Sequence, residues 1–121
     1  MNMNDNDEVL AIMEYVKKSS LKGKVEIQDD GFIWDLGGVY LRFAIDARET
    51  TVFYAHRKKF LWDGHFHEDN CDVISLINEI NKEDKIVKIT YHPLGDSFCI
   101  INKTDRKKKS WLIVRHYYSS I

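Results

Sequence analysis

One proline and six glycines in 121 residues leave little material for linkers. The chain therefore reads as folded throughout, neither disordered nor low in complexity. Cysteine is scarce as well. Cys71 and Cys99 fall in different expected elements and form no C-x-x-C pair, which favours reduced thiols in a cytoplasmic protein over a disulfide framework. No apolar run approaches the ~18 residues that a membrane helix needs. The opening Met1-Asn2-Met3-Asn4-Asp5-Asn6-Asp7 is polar and acidic, without the basic and apolar regions of a secretory signal. An excess of one charge is also missing. Lys and Arg number 18 against 19 Asp and Glu, a formal net charge of −1, so the domain as a whole is no polyanion binder. A nucleic-acid role would require a local basic patch.

Catalytic signatures are absent too. There is no Gly-x-Ser-x-Gly elbow, no P-loop, no Gly-x-Gly-x-x-Gly and no His-Glu-x-x-His. Gly37-Gly38 stands between two alternating segments, where turn geometry accounts for it. No enzyme activity and no cofactor are expected.

What the chain does have is apolar content of 44% in regular patterns. At this length it is one domain, 1–121, with residues 1–5 expected to be flexible. It is long enough to bury roughly two-thirds of its unfolded surface. A first helix is expected from about Asp5 to Lys22. Asp5 and Glu8 have capping-box spacing, Val9, Leu10, Ile12, Met13 and Val16 form one stripe, and Gly23 is a natural stop. Alternating segments follow at Val25–Ile27, Phe32–Leu36 and Val39–Ile45, and after a polar loop at Asp46–Thr50 come short strands at Val52–His56 and Phe60–Trp62. A second helix is expected over 70–81, capped by Asp69 or Asn70, with Val73, Ile74, Ile77 and Ile80 inward. Strands then recur at Ile86–Tyr91, Phe98–Asn102 and Trp111–Tyr118. The order α-βββ(ββ)-α-βββ, with short turns, makes an α+β fold of two helices on one antiparallel sheet. The expected core is Val9, Ile12, Val16, Leu41, Phe43, Val73, Ile77, Ile89, Ile100 and Ile113. The segments 5–12 and 69–76 look alike, a hint of internal duplication that any two capped amphipathic helices would also give.

Residues with chemistry concentrate in 57–71. His65 and His67 share one face if they lie on a strand, and Cys71 could approach them from the following helix. No metal-ligand frame surrounds them, so surface histidines beside a helix start are the plainer reading and no metal is expected. Cys71 near His67 has the parts of a thiolate–imidazole pair, but a small apolar residue under the helix is the simpler role. Arg57-Lys58-Lys59 and Arg106-Lys107-Lys108-Lys109 each adjoin a tryptophan, the components of a surface for single-stranded nucleic acid. Against these, the acids 29–30, 46–49, 63 and 68–72 beside aromatic anchors suit a surface that covers a basic protein.

A cytosolic, aromatic-rich α+β domain of this length without catalytic motifs resembles the small bacterial immunity proteins. These neutralise the C-terminal toxin domains of contact-dependent growth inhibition and other polymorphic toxin systems. The resemblance is one of overall character along the whole chain, not of a motif, so no residue roles come with it. It implies a cognate toxin domain, often a nuclease, as partner. The element order also resembles small secretion chaperones, but the strand-like Tyr117–Ile121 end departs from their final helix. The expected partner surface is Trp62, Asp63, His65, His67, Glu68 and Asp69, where a loop joins a strand end to a helix start. The alternative partner is single-stranded nucleic acid at the basic tips.

Overall fold

The computed structural model describes residues 5–56, 62–106 and 113–121. Helix α1 (Asp5–Lys18) leads into strands β1 (Lys24–Gln28), β2 (Gly31–Asp35), β3 (Tyr40–Ile45), β4 (Glu49–Ala55) and β5 (Gly64–Asp69). Helix α2 (Asn70–Asn81) follows, then β6 (Lys85–His92), β7 (Gly95–Asn102), one 3-10 turn (Lys103–Asp105) and β8 (Arg115–Tyr118). All paired strands are antiparallel, in an α+β arrangement. The strands form two sheets rather than the single one expected. One is a five-stranded meander, β1-β2-β3-β4-β5; the other has the order β7-β6-β8. The first strand after α2 is central, whereas the first strand after α1 is at an edge. The two halves therefore differ in topology, and the likeness of their helices reflects shared amphipathic patterning.

Alternation explains the meander. Phe32 and Trp34, Leu41 and Phe43, and Val52 and Tyr54 all point to one face and are buried there. Ile12, Met13 and Val16 of α1 and Val73, Ile77 and Ile80 of α2 cover that face. Val87 and Ile89 of β6 join the same cluster, so one apolar core spans both sheets. Phe32 stacks on Phe43 at 4.6 Å. Leu10, expected in the α1 stripe, is 62% exposed on the other side of the helix, and of the expected core Val9 and Ile100 are only partly buried. Ile113 is 70% exposed and belongs to the surface. It sits in a turn before β8, and the expected strand from Trp111 begins only at Arg115 among the described residues.

Helix α1 stops at Lys18, four residues short of the expected Lys22. The residues that follow have tertiary bonds that a helix would break. The Lys22 N–H donates to Asn81 Oδ1 at 2.8 Å, its carbonyl accepts from Trp34 Nε1 at 2.7 Å, and its ammonium donates to the carbonyls of Lys82 and Lys85. Helix α2 matches its expected bounds. Asp69 caps it by accepting from the Cys71 N–H at 3.1 Å. Asn70, buried at the helix start, accepts from the Thr50 hydroxyl at 2.7 Å and donates to the Asp46 carbonyl at 2.6 Å. Those bonds fasten the β3–β4 turn to α2.

Asp5 is the first residue of α1, inside the stretch expected to be flexible. The expected strand at Phe60–Leu61 and the basic runs 57–59 and 107–109 lie outside the described residues; Trp62 is described and lies outside β5.

Candidate interaction face

The alternation that buries one face of the meander exposes the other. A row of cross-strand partners crosses all five strands: Glu26, Ile33, Arg42, Phe53 and His65. Beside it runs a second row of Gln28, Gly31, Ala44, Thr51 and His67. Both helices pack on the opposite face. The first row is joined by ring contacts. The Arg42 guanidinium lies over the Phe53 ring at 5.5 Å. Phe53 meets Trp62 at 6.5 Å and His65 at 5.5 Å, and His65 meets His67 edge-on at 5.5 Å. Arg42 is oriented by Asp30 at 3.6 Å and by Gln28 Oε1.

One end of this face opens into a hollow of about 430 Å³ lined by Asp46, Ala47, Arg48, Glu49, Thr51 and His67. Glu68 and Asp69 extend its wall. His67 Nδ1 lies 2.6 Å from Glu49 Oε1 and 3.1 Å from the Thr51 hydroxyl. The rim is mainly acidic and includes Arg48.

The expected surface thus divides. Trp62, His65 and His67 gather on the outer face. Glu68 and Asp69 lie at the hollow, although Asp69 also holds the α2 cap. Asp63 turns away to the junction of the two sheets. Its Oδ2 accepts from the His56 main-chain N–H at 3.1 Å and from the Tyr91 hydroxyl, and lies 3.1 Å from His56 Nδ1. The His56 ring stacks on Tyr117 at 4.0 Å. Burial pulls the Asp63 carboxyl upward, but the Tyr91 and His56 contacts outweigh it and hold the group below its ordinary value. Burial and the Asp63 carboxylate push the Tyr91 phenol the other way, well above its ordinary range.

Cys71 is exposed rather than tucked under α2. Its bond to the Asp69 carboxylate pushes the thiol up to about 11, the opposite of the shift that makes a thiolate nucleophile. His56 is pinned to Asp63, away from His65 and His67. Among the described residues no three His, Cys, Asp or Glu side chains come together as a metal site.

Sequence reasoning missed Ile33, Arg42 and Phe53. The signal was present: Phe53 has the opposite phase to Val52 and Tyr54, and a large aromatic in the solvent phase of a strand marks a contact surface.

No family model, curated protein or solved structure matches this chain. The site must be judged by its own chemistry.

Among the described residues, no helix is long and apolar enough to cross a membrane.

Proposed function

We propose that this domain is a non-enzymatic, cytoplasmic protein-binding module of the immunity type, which neutralises a toxin domain by covering it with the outer face of the meander. The observation that carries the reading is the continuous Arg42–Phe53–Trp62–His65–His67 patch, ending at the acidic hollow around Arg48. Arg and Trp are over-represented among residues that dominate binding energy, and rigid aromatics bury large area at small entropic cost. Carboxylates at the rim steer a basic partner and speed its association. A nuclease, whose substrate cleft is basic, fits such a rim. The toxin class itself is drawn from the resemblance in size, composition and fold class.

The test is co-expression with the toxin domain encoded beside this protein. The wild-type chain should protect cells and co-purify with the toxin. Replacing Phe53, Trp62 and His65 together by Ala should weaken the complex by about a hundredfold or more, with far-UV circular dichroism retained. Glu49→Lys with Glu68→Lys should slow association, most clearly at low salt. Full protection after both sets of changes would move the interface off this face.

A further inference from the structure

Four strands end the two sheets, and they are not alike. Edge strands are usually blunted by Lys, Pro or a bulge, because open main-chain groups invite another chain to pair. At the outer edges, β1 carries Lys24 and β8 carries Arg115. Strands β5 and β7 carry neither Lys, Arg nor Pro. These two unguarded edges flank one groove of about 410 Å³. Residues 96–100 of β7 form one wall. Tyr54, His65 and Phe66 of the meander and Leu76 of α2 face them. The floor is aromatic: the Phe98 ring is 5.1 Å from Phe66 and 5.6 Å from Tyr54.

The phase of the β7 edge can be derived. The Lys103 N–H donates to the Asp84 carbonyl at 2.8 Å, in line with the β6–β7 register. Bonded pairs alternate along an antiparallel ladder. Ser97 and Cys99 therefore turn their main-chain groups toward β6, while Asp96, Phe98 and Ile100 turn theirs to the open side. Among the described residues nothing pairs with that side.

Charge defines what fits. Asp96 stands at one end of the groove, and no described cation lies within ion-pair distance of it. Burial and the nearby Asp63 carboxylate both raise its carboxyl, so a positive group is favoured there.

We infer that this groove binds an extended segment of a partner protein that carries a Lys or Arg and two apolar residues at successive alternate positions, in phase with Asp96, Phe98 and Ile100. The segment adds a strand to β7. Its main chain bonds to Asp96, Phe98 and Ile100, its apolar side chains rest on Tyr54, Phe66 and Phe98, and a basic side chain reaches Asp96. Adding a strand to an open edge is a known mode of peptide capture, with affinity from main-chain bonds and selectivity from alternate side chains. The inference does not depend on the toxin reading, and its test needs no toxin.

The probe is a synthetic capped heptapeptide, Lys-Ser-Val-Ser-Val-Ser-Lys, which sets Lys and Val on one face in either strand direction; it is titrated into 15N-labelled full-length protein. The amide resonances of Asp96, Phe98 and Ile100 should shift, and those of the outer-face residues Arg42 and Phe53 should not. The same peptide with Glu in place of both Lys should bind at least about tenfold more weakly, the equivalent of one lost charge contact. Pro in place of both Val residues should abolish the shifts by removing two donors. Asp96→Asn, an exposed change, should bring the affinities of the Lys and Glu peptides close together. No shift with either peptide, equal binding of both to wild type, or shifts confined to the outer face would overturn the inference.

Discussion

One carboxylate oxygen, Asp63 Oδ2, gathers the main chain and ring of His56 and the hydroxyl of Tyr91. In the sequence Asp63 is simply an acid beside a tryptophan and a glycine, and its Tyr91 partner is 28 residues away. No local pattern reveals such a bond, which is why Asp63 was placed on the partner surface. Its position gives it a structural duty as well. Asp63→Asn should therefore cost about 1 kcal/mol of stability at neutral pH, the low end for a bond to a charged group because solvent reaches the partly exposed carboxylate. The sign with pH follows from the depressed carboxyl. Folded Asp63 titrates below its ordinary value near 3.8, so its contribution is present above that value and is lost as pH falls through the lower folded value. Urea unfolding of both proteins should show the gap at pH 7 and a narrowing below about pH 3.8. A gap that widens on acidification would contradict the assignment. Asp69 was legible in part, since a capping role before 70–81 can be read from sequence and its place at the hollow cannot.

At the scale of elements, sequence periodicity located α2 to the residue and the phase of β2 and β3 without error, whereas β4 begins at Glu49, inside the expected 46–50 loop. Their apolar residues recur at clean spacings and are the ones packing selects. Failures fall where tertiary contacts override local preference. The end of α1 is fixed by what Lys22 must reach, not by Gly23. Strand β5 was harder, because Gly64-His65-Phe66-His67-Glu68-Asp69 contains no β-branched residue and reads as a loop. Pairing with β4 makes it a strand. Gly64 sits opposite Tyr54 and lies under its ring, a packing in which an aromatic covers the surface a strand glycine leaves bare. A Cβ there would meet the Tyr54 ring directly. Gly64→Ala should thus destabilise by about 1–3 kcal/mol, as overpacked sites do. The shift in urea midpoint measures it. Tyr54→Leu, with a smaller side chain at that position, should reduce the penalty of the glycine change. Equal penalties in both backgrounds would mean that the ring is not the obstacle.

The molecule as a whole is two sheets that fold as one because several ties cross between them. The core cluster is shared, and the Asp63 clasp joins the β4–β5 end to β6. A third tie is the chain after β8. The Ser119 N–H donates to the Val87 carbonyl at 2.9 Å, and the Ser119 hydroxyl accepts from the Val87 N–H at 2.9 Å. Ser120 and Ile121 then donate to the carbonyls of Gly37 and Leu36 at 2.8 and 3.0 Å. The strap thus binds the smaller sheet to the β2–β3 turn of the larger one. Gly37 has φ +77°, and a Cβ on it would strike the Ser120 hydroxyl. Gly37→Ala therefore combines the cost of a left-handed non-glycine residue, about 1–2 kcal/mol, with loss of the strap. Because the ties make one cooperative unit, that loss should reach both sheets. Native-state hydrogen exchange checks this. The slowest amides of Leu41 and Phe43 in the larger sheet and of Val87 and Ile89 in the smaller one should share one opening free energy in the wild type. All four should fall together in the variant. If only Val87 and Ile89 lost protection, the smaller sheet would be a separate unit. The groove between β5 and β7 would then open and close with it, instead of standing ready between two fixed walls.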